Sequence, residues 1–299
     1  MSMIQTAAPA NVSRPSAIAD WMKRHPLVAY FALAYALTWA LVIPIVLSQR
    51  GVGVFNLPEP LLLALFLLST FSGPLPAALI LTSVTEGSSG RRQLLRRMFQ
   101  WRVGFHWYLL VLIAYPFLFL VGLTVYSGTA PWIALSQKWT LLLTYYLPTA
   151  AMGIIFPGLG EEPGWRGFAL PRLQQQYGAL AGSLILGTLH GLWHLPAYFI
   201  PGAILEGPFN LSAFAANTFT IISMTLMWTW LFNNARQSVW FAMFVHGTSN
   251  AVSGLLPRLI PDLPVDPWFG FKVTFVFALI LIVFTRGRLG YRLPEEPVS

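Results

Sequence analysis

The chain has 299 residues, of which 56% are hydrophobic and only 9% charged, with a formal net charge of +8. A soluble domain carries roughly 25% charged residues, so ten acids, eighteen bases and five histidines cannot clothe a water-soluble globule of this size, and lipid must be the main solvent. The absence of cysteine excludes disulfides, iron–sulfur clusters, thiolate zinc sites and cysteine nucleophiles, and the positive balance fits the basic loops of a membrane protein rather than a nucleic-acid surface.

The first 26 residues are polar and interrupted by Pro15 and Pro26, which reads as a tail and not as a secretory signal with an early apolar core. Eight apolar stretches follow, near Leu27–Ser48, Leu61–Val84, Trp107–Tyr126, Thr140–Leu159, Ala179–Ile200, Leu211–Phe232, Val239–Leu256 and Trp268–Thr285. Crossing a hydrocarbon core of ~30 Å takes about 20 helical residues. Helices are required because an open strand would leave its backbone unpaired in lipid. The expected architecture is an all-α polytopic membrane protein of about eight transmembrane helices around a buried polar site. Its domain spans 27–285, between cytoplasmic tails over 1–26 and 286–299.

Fourteen of the eighteen lysines and arginines fall on the side of the two termini, which places both termini in the cytoplasm and the chain in the cell membrane as a multi-pass protein. The basic run Arg91–Arg97 lies at that face, as an orientation signal or as a contact to anionic headgroups. Gly73-Pro74-Leu75-Pro76 should kink the second stretch. Gly187 and Gly191 have the close-packing spacing used between membrane helices.

An ionisable residue within lipid is a functional hypothesis by default, because an unpaired charge there is expensive. Three places stand out. In Gly160-Glu161-Glu162-Pro163-Gly164-Trp165-Arg166-Gly167, the preceding Phe156–Gly160 breaks the fourth helix and Pro163 suits the first turn of a new one. Both carboxylates then sit at a helix N-terminus. Glu162 and Arg166 have the spacing of an intrahelical ion pair, which leaves Glu161, about 100° round the helix, free to point elsewhere. The second place is His190-Gly-Leu-Trp-His194 and the third is His246-Gly-Thr-Ser-Asn250, each an i, i+4 pair on one helical face.

A helix from Glu161 that turns back at Gln174–Gly178 would bring Glu161 and His194 to the same depth, because the turn lies midway between them. Each would then stand roughly 24 Å of helix from the turn. A carboxylate, imidazoles and an amide around one cavity suit attack of water on a carbonyl: Glu161 as general base, an imidazole to pass the proton on, and further donors for the oxyanion. No Gly-x-Ser-x-Gly elbow is present to support a serine mechanism. Zinc held by His190, His194, His246 and Glu161 is the rival reading, although the His-Glu-x-x-His signature is absent because Gly191 follows His190.

Glu-Glu-x-x-x-Arg, a following His and then His-x-x-x-Asn, across a multi-span chain, resemble the CAAX protease and bacteriocin-processing (CPBP, or ABI) family, which includes the type II CAAX prenyl endopeptidases. The likeness covers about 90 residues, from Phe156 to Asn250, with the flanks Gly164-Trp165-Arg166-Gly167 and His194-Leu195-Pro196. The resemblance implies an intramembrane endopeptidase of the glutamate-dependent type, with no cofactor. Glu161 and His194 would activate water, His246 and Asn250 would stabilise the oxyanion, and Glu162 and Arg166 would support them. One position departs: the family's second motif usually begins with phenylalanine, where this chain has His190. That extra imidazole could tune His194, bind a metal or hydrogen-bond a neighbour. The implied partners are a membrane-associated protein or peptide substrate and the bilayer, not nucleic acid. A non-proteolytic immunity or scaffold role on the same fold, and a proton-coupled carrier, stand as alternatives.

Overall fold

The computed structural model describes residues 17–204, 207–261 and 266–292. Residues 1–16 of the expected N-terminal tail and 293–299 of the C-terminal one lie outside them. The described chain is helical throughout, in the order α1 (Ala17–Arg24), α2 (Pro26–Leu47), α3 (Glu59–Ser72), α4 (Pro74–Met98), α5 (Phe105–Ser127) and α6 (Ala130–Gln137), followed by α7 (Leu147–Gly153), α8 (Leu159–Gly164), α9 (Leu170–Trp193), α10 (Leu211–Asn234), α11 (Val239–Leu259) and α12 (Phe269–Thr285). Each of the eight apolar stretches is helical over most of its length. Among the described residues, five helical runs are long and apolar enough to cross a membrane: Pro26–Leu47, Glu59–Met98, Phe105–Ser127, Leu142–Phe199 and Leu211–Asn234. The chain is an all-α, multi-pass membrane protein. Large apolar side chains face outward along α3, α5 and α12, with Val125 and Phe284 each 85% exposed, as lipid rather than water requires.

Local sequence explains the interruptions. α3 and α4 meet at Gly73, where Pro74 and Pro76 remove two backbone donors, and α4 bends again at Gly87, just before the basic run. Between α6 and α9 the helix widens into three π turns, Leu142–Tyr146, Ile154–Gly158 and Trp165–Ala169. Phe156 leaves helical geometry ahead of Pro157, and the new helix begins at Leu159, two residues earlier than Glu161. Gly178 has φ of 78°, a conformation that L side chains rarely adopt. The chain reverses there, and Gly182 comes to lie against the backbone of Leu173 and Gln174. The predicted hairpin turn is therefore present.

α9 packs on α10, which packs on α12, while α11 runs against α5, α7, α8 and α10. α11 buries His246, Gly247, Thr248 and Ser249 together with its apolar residues, so it forms an interior helix of the bundle. The Gly187/Gly191 face meets α10: a Cβ added at Gly187 would stand 2.7 Å from Ile222 Cα, and one at Gly191 would stand 3.1 Å from Thr218 Cα. Gly187→Ala is expected to destabilise the protein by about 1–3 kcal/mol through overpacking. The check is the thermal unfolding midpoint in detergent; an unchanged midpoint would show that the two helices do not need this close approach.

Candidate active site

The hairpin carries one half of the site. α8 presents Glu161 and Glu162 in its first turn, and the last turn of α9 presents His190, with His194 capping its C-terminus just before Pro196. Glu162 Oε1 accepts a hydrogen bond from Arg166 Nη1 at 3.0 Å, the i, i+4 ion pair that the spacing predicts. Glu161 points the other way. Its Oε2 is 2.9 Å from His190 Nε2 and also accepts from Trp165 Nε1 at 3.2 Å. The sequence placed Glu161 and His194 at one depth, and their donor atoms lie within 4.8 Å of each other. The imidazole hydrogen-bonded to Glu161 is His190, one helical turn earlier, in the role of a hydrogen bond to a neighbour that the sequence also offered. His194 stands beside them, its ring centroid 5.2 Å from that of His190.

α11 carries the other half. His246 Nδ1 lies 2.8 Å from Glu162 Oε1, so one carboxylate oxygen joins Arg166 and His246. Because an ionised carboxylate only accepts, Nδ1 carries a proton in this contact, and Nε2 is the nitrogen left for the cavity that His246 lines. Asn250, one turn further, is exposed and lines the same cavity. Glu161, Glu162, Arg166, His190 and His246 are buried, whereas His194 is half-buried.

The cavity has a volume of about 740 Å³. Glu161, Arg166, His190, His194, His246 and Asn250 all line it, so the structure brings six of the seven sequence-predicted residues to one space. The seventh, Glu162, lies behind them as the shared partner of Arg166 and His246. The remaining walls are mainly apolar and aromatic, from Trp39, Phe66, Phe156 and Met224 among others. Such a space suits an extended, largely apolar segment with one polar bond presented to the carboxylate.

Three contributors escaped the sequence reading. Trp165 donates to Glu161 and packs at 4.9 Å from the His190 ring. Its i+4 offset from Glu161 is the same signal that identified Arg166. Thr225 accepts from Arg166 Nη2 at 3.4 Å, and the Trp228 ring lies beneath the Arg166 guanidinium at 4.6 Å and beside His246 at 5.2 Å. Both lie on α10, and only tertiary packing reveals them.

The donor atoms of Glu161, His190 and His194 lie within 4.8 Å of one another, a grouping of metal-binding size that does not include His246. A histidine that ligates through Nε2 carries its proton on Nδ1 and normally donates it to a supporting group. Nδ1 of His190 is buried and has no partner among the described residues.

Residues 143–252 match the family model described as type II CAAX prenyl endopeptidase Rce1-like. Over 98 residues the chain is 33% identical to CAAX prenyl protease 2 of Methanococcus maripaludis, a stretch that covers 32% of this chain and 36% of that relative. The chain thus spans about a third of the length of the curated relative that it matches. The match and the identity both fall on a multi-pass helical chain whose Glu161, His194, His246 and Asn250 line one cavity. Through the segment that builds this site, the chain is similar to the type II CAAX prenyl endopeptidases.

Proposed function

We propose that this protein is an intramembrane endopeptidase that hydrolyses a peptide bond of a membrane-associated protein or peptide, without a bound metal. The observation that carries the reading is the buried Glu161 carboxylate, held by Trp165 and His190 at the wall of a cavity that also receives His194, His246 and Asn250. The likeness of residues 143–252 to the Rce1-like family model and the protease named for the Methanococcus relative support the same reaction class.

Glu161 takes a proton from water as the water oxygen attacks the scissile carbonyl. The C–N bond then breaks, and the proton passes by way of His194 to the leaving amine. Asn250 Nδ2 and His246 Nε2 donate to the oxyanion, each well-placed donor contributing about 2.7–4 kcal/mol. Since Nδ1–H of His246 is committed to Glu162, Nε2 donates only from the imidazolium form. The cluster balances that charge: Glu161 and Glu162 stand against Arg166 and His246.

The test needs no guessed substrate. Wild type and Glu161→Ala are expressed at matched levels in a deletion background, and new protein termini are mapped in the membrane fraction. Termini that appear only with wild type are the expected result and define the bond cut. Matching termini, with a deletion phenotype rescued equally by both proteins, would sink the reading in favour of a non-proteolytic role.

A further inference from the structure

Both hydrogen bonds received by Glu161 go to one oxygen. Trp165 Nε1 and His190 Nε2 meet Oε2, whereas Oε1 receives no hydrogen bond among the described residues although the side chain lines the cavity. A carboxylate with one saturated and one unoccupied oxygen has a defined direction. We propose that His190 is a positioning residue for Glu161: it donates from Nε2 to Oε2 and so holds Oε1 toward the cavity, where the proton of the attacking water is taken. The inference rests on Glu161 being the general base.

The tautomer follows from the surroundings of the ring. The carboxylate can only accept, so Nε2 must carry the hydrogen. Nδ1, buried and without a partner among the described residues, is then a bare lone pair in the neutral ring. Placing a metal on Nε2 would reverse this and leave an N–H facing nothing. The ring is also hemmed in, between Trp165 at 4.9 Å and His194 at 5.2 Å, so the donor is fixed by packing as well as by its hydrogen bond. His194 keeps no such contact to Glu161, and the two imidazoles therefore divide the work. His190 orients the base, and His194 carries the proton.

Two variants separate the donor from the packing. His190→Phe keeps a flat ring between Trp165 and His194 but donates nothing. His190→Gln restores a side-chain N–H that can reach the carboxylate. On the peptide defined by the terminus mapping, with purified protein in liposomes, His190→Phe is expected to lose about 10–100-fold in kcat, the loss that follows from removing one hydrogen bond to a charged group. KM should stay within about two-fold, because the lost interaction serves the chemical step rather than uniform binding. His190→Gln should recover most of the rate. Elemental analysis of wild type should find no stoichiometric zinc. Full kcat in His190→Phe beside an inactive Glu161→Gln would overturn the positioning role alone, as would a His190→Gln rate no better than that of an equally stable His190→Phe. Stoichiometric zinc that disappears in His190→Phe would make His190 a ligand instead. An active Glu161→Gln would remove the general-base reading itself.

Discussion

Glu161→Gln is expected to lower single-turnover hydrolysis by about 10²–10⁴-fold, the range a positioned general base supplies, while leaving the unfolding midpoint nearly unchanged. The amide has the size of the carboxylate, and its oxygen can still accept from Trp165 and His190, so the hairpin keeps its internal links. What disappears is the basic lone pair aimed at the cavity. The measurement is the rate of bond cleavage under enzyme excess, alongside thermal unfolding of the same preparation. A variant that keeps more than about a tenth of the wild-type rate would place the base elsewhere.

Arg166→Leu is expected to destabilise the protein by up to about 3–5 kcal/mol, because the fully buried Glu162 carboxylate then keeps His246 as its one partner among the described residues. The intact pair is not itself a strong source of stability. Glu162 Oε2 and Arg166 Nε are both buried without partners among the described residues, so part of the desolvation cost is left uncompensated. The double variant Glu162→Leu/Arg166→Leu should therefore recover much of the lost stability yet stay poorly active, since His246 Nδ1 would have lost the oxygen that orients it. Chemical unfolding in mixed micelles and the cleavage rate, measured on all three variants, test this. A double variant as unstable as Arg166→Leu would mean that the pair holds the fold rather than the imidazole.

Local rules reach a good part of the site. Helical spacing alone links Glu162 to Arg166, and the turn at Gly178 follows from a glycine placed after three glutamines and a tyrosine. The same i, i+4 rule sets His190 and His194 on one face but cannot say which ring reaches Glu161. That depends on where α8 starts, and Leu159 rather than Glu161 opens it. The Glu162–His246 contact joins residues 84 apart, and no periodicity relates them. Thr225 and Trp228 look like ordinary residues of an apolar helix until α10 is packed beneath Arg166. The all-helical, multi-pass character and the break at Phe156–Gly160 were legible, but the three π turns between α6 and α9 were not. The break at Phe156 is marked by Pro157 and its glycines, whereas a π turn adds one residue to a helical turn without any such marker.

Those π turns make the geometry around Glu161 depend on counting. A π turn holds one residue more than the α turn it replaces, and a single residue corresponds to about 100° of helical rotation. With Ile154–Gly158 before α8 and Trp165–Ala169 after it, the compass bearing of Glu161 is set by how many residues lie on either side as much as by which residues they are. Over these two segments the spelling can drift through conservative exchanges, whereas the length is rigid. Losing one letter would swing the carboxylate away from His190 even with every side chain of the site still in the chain.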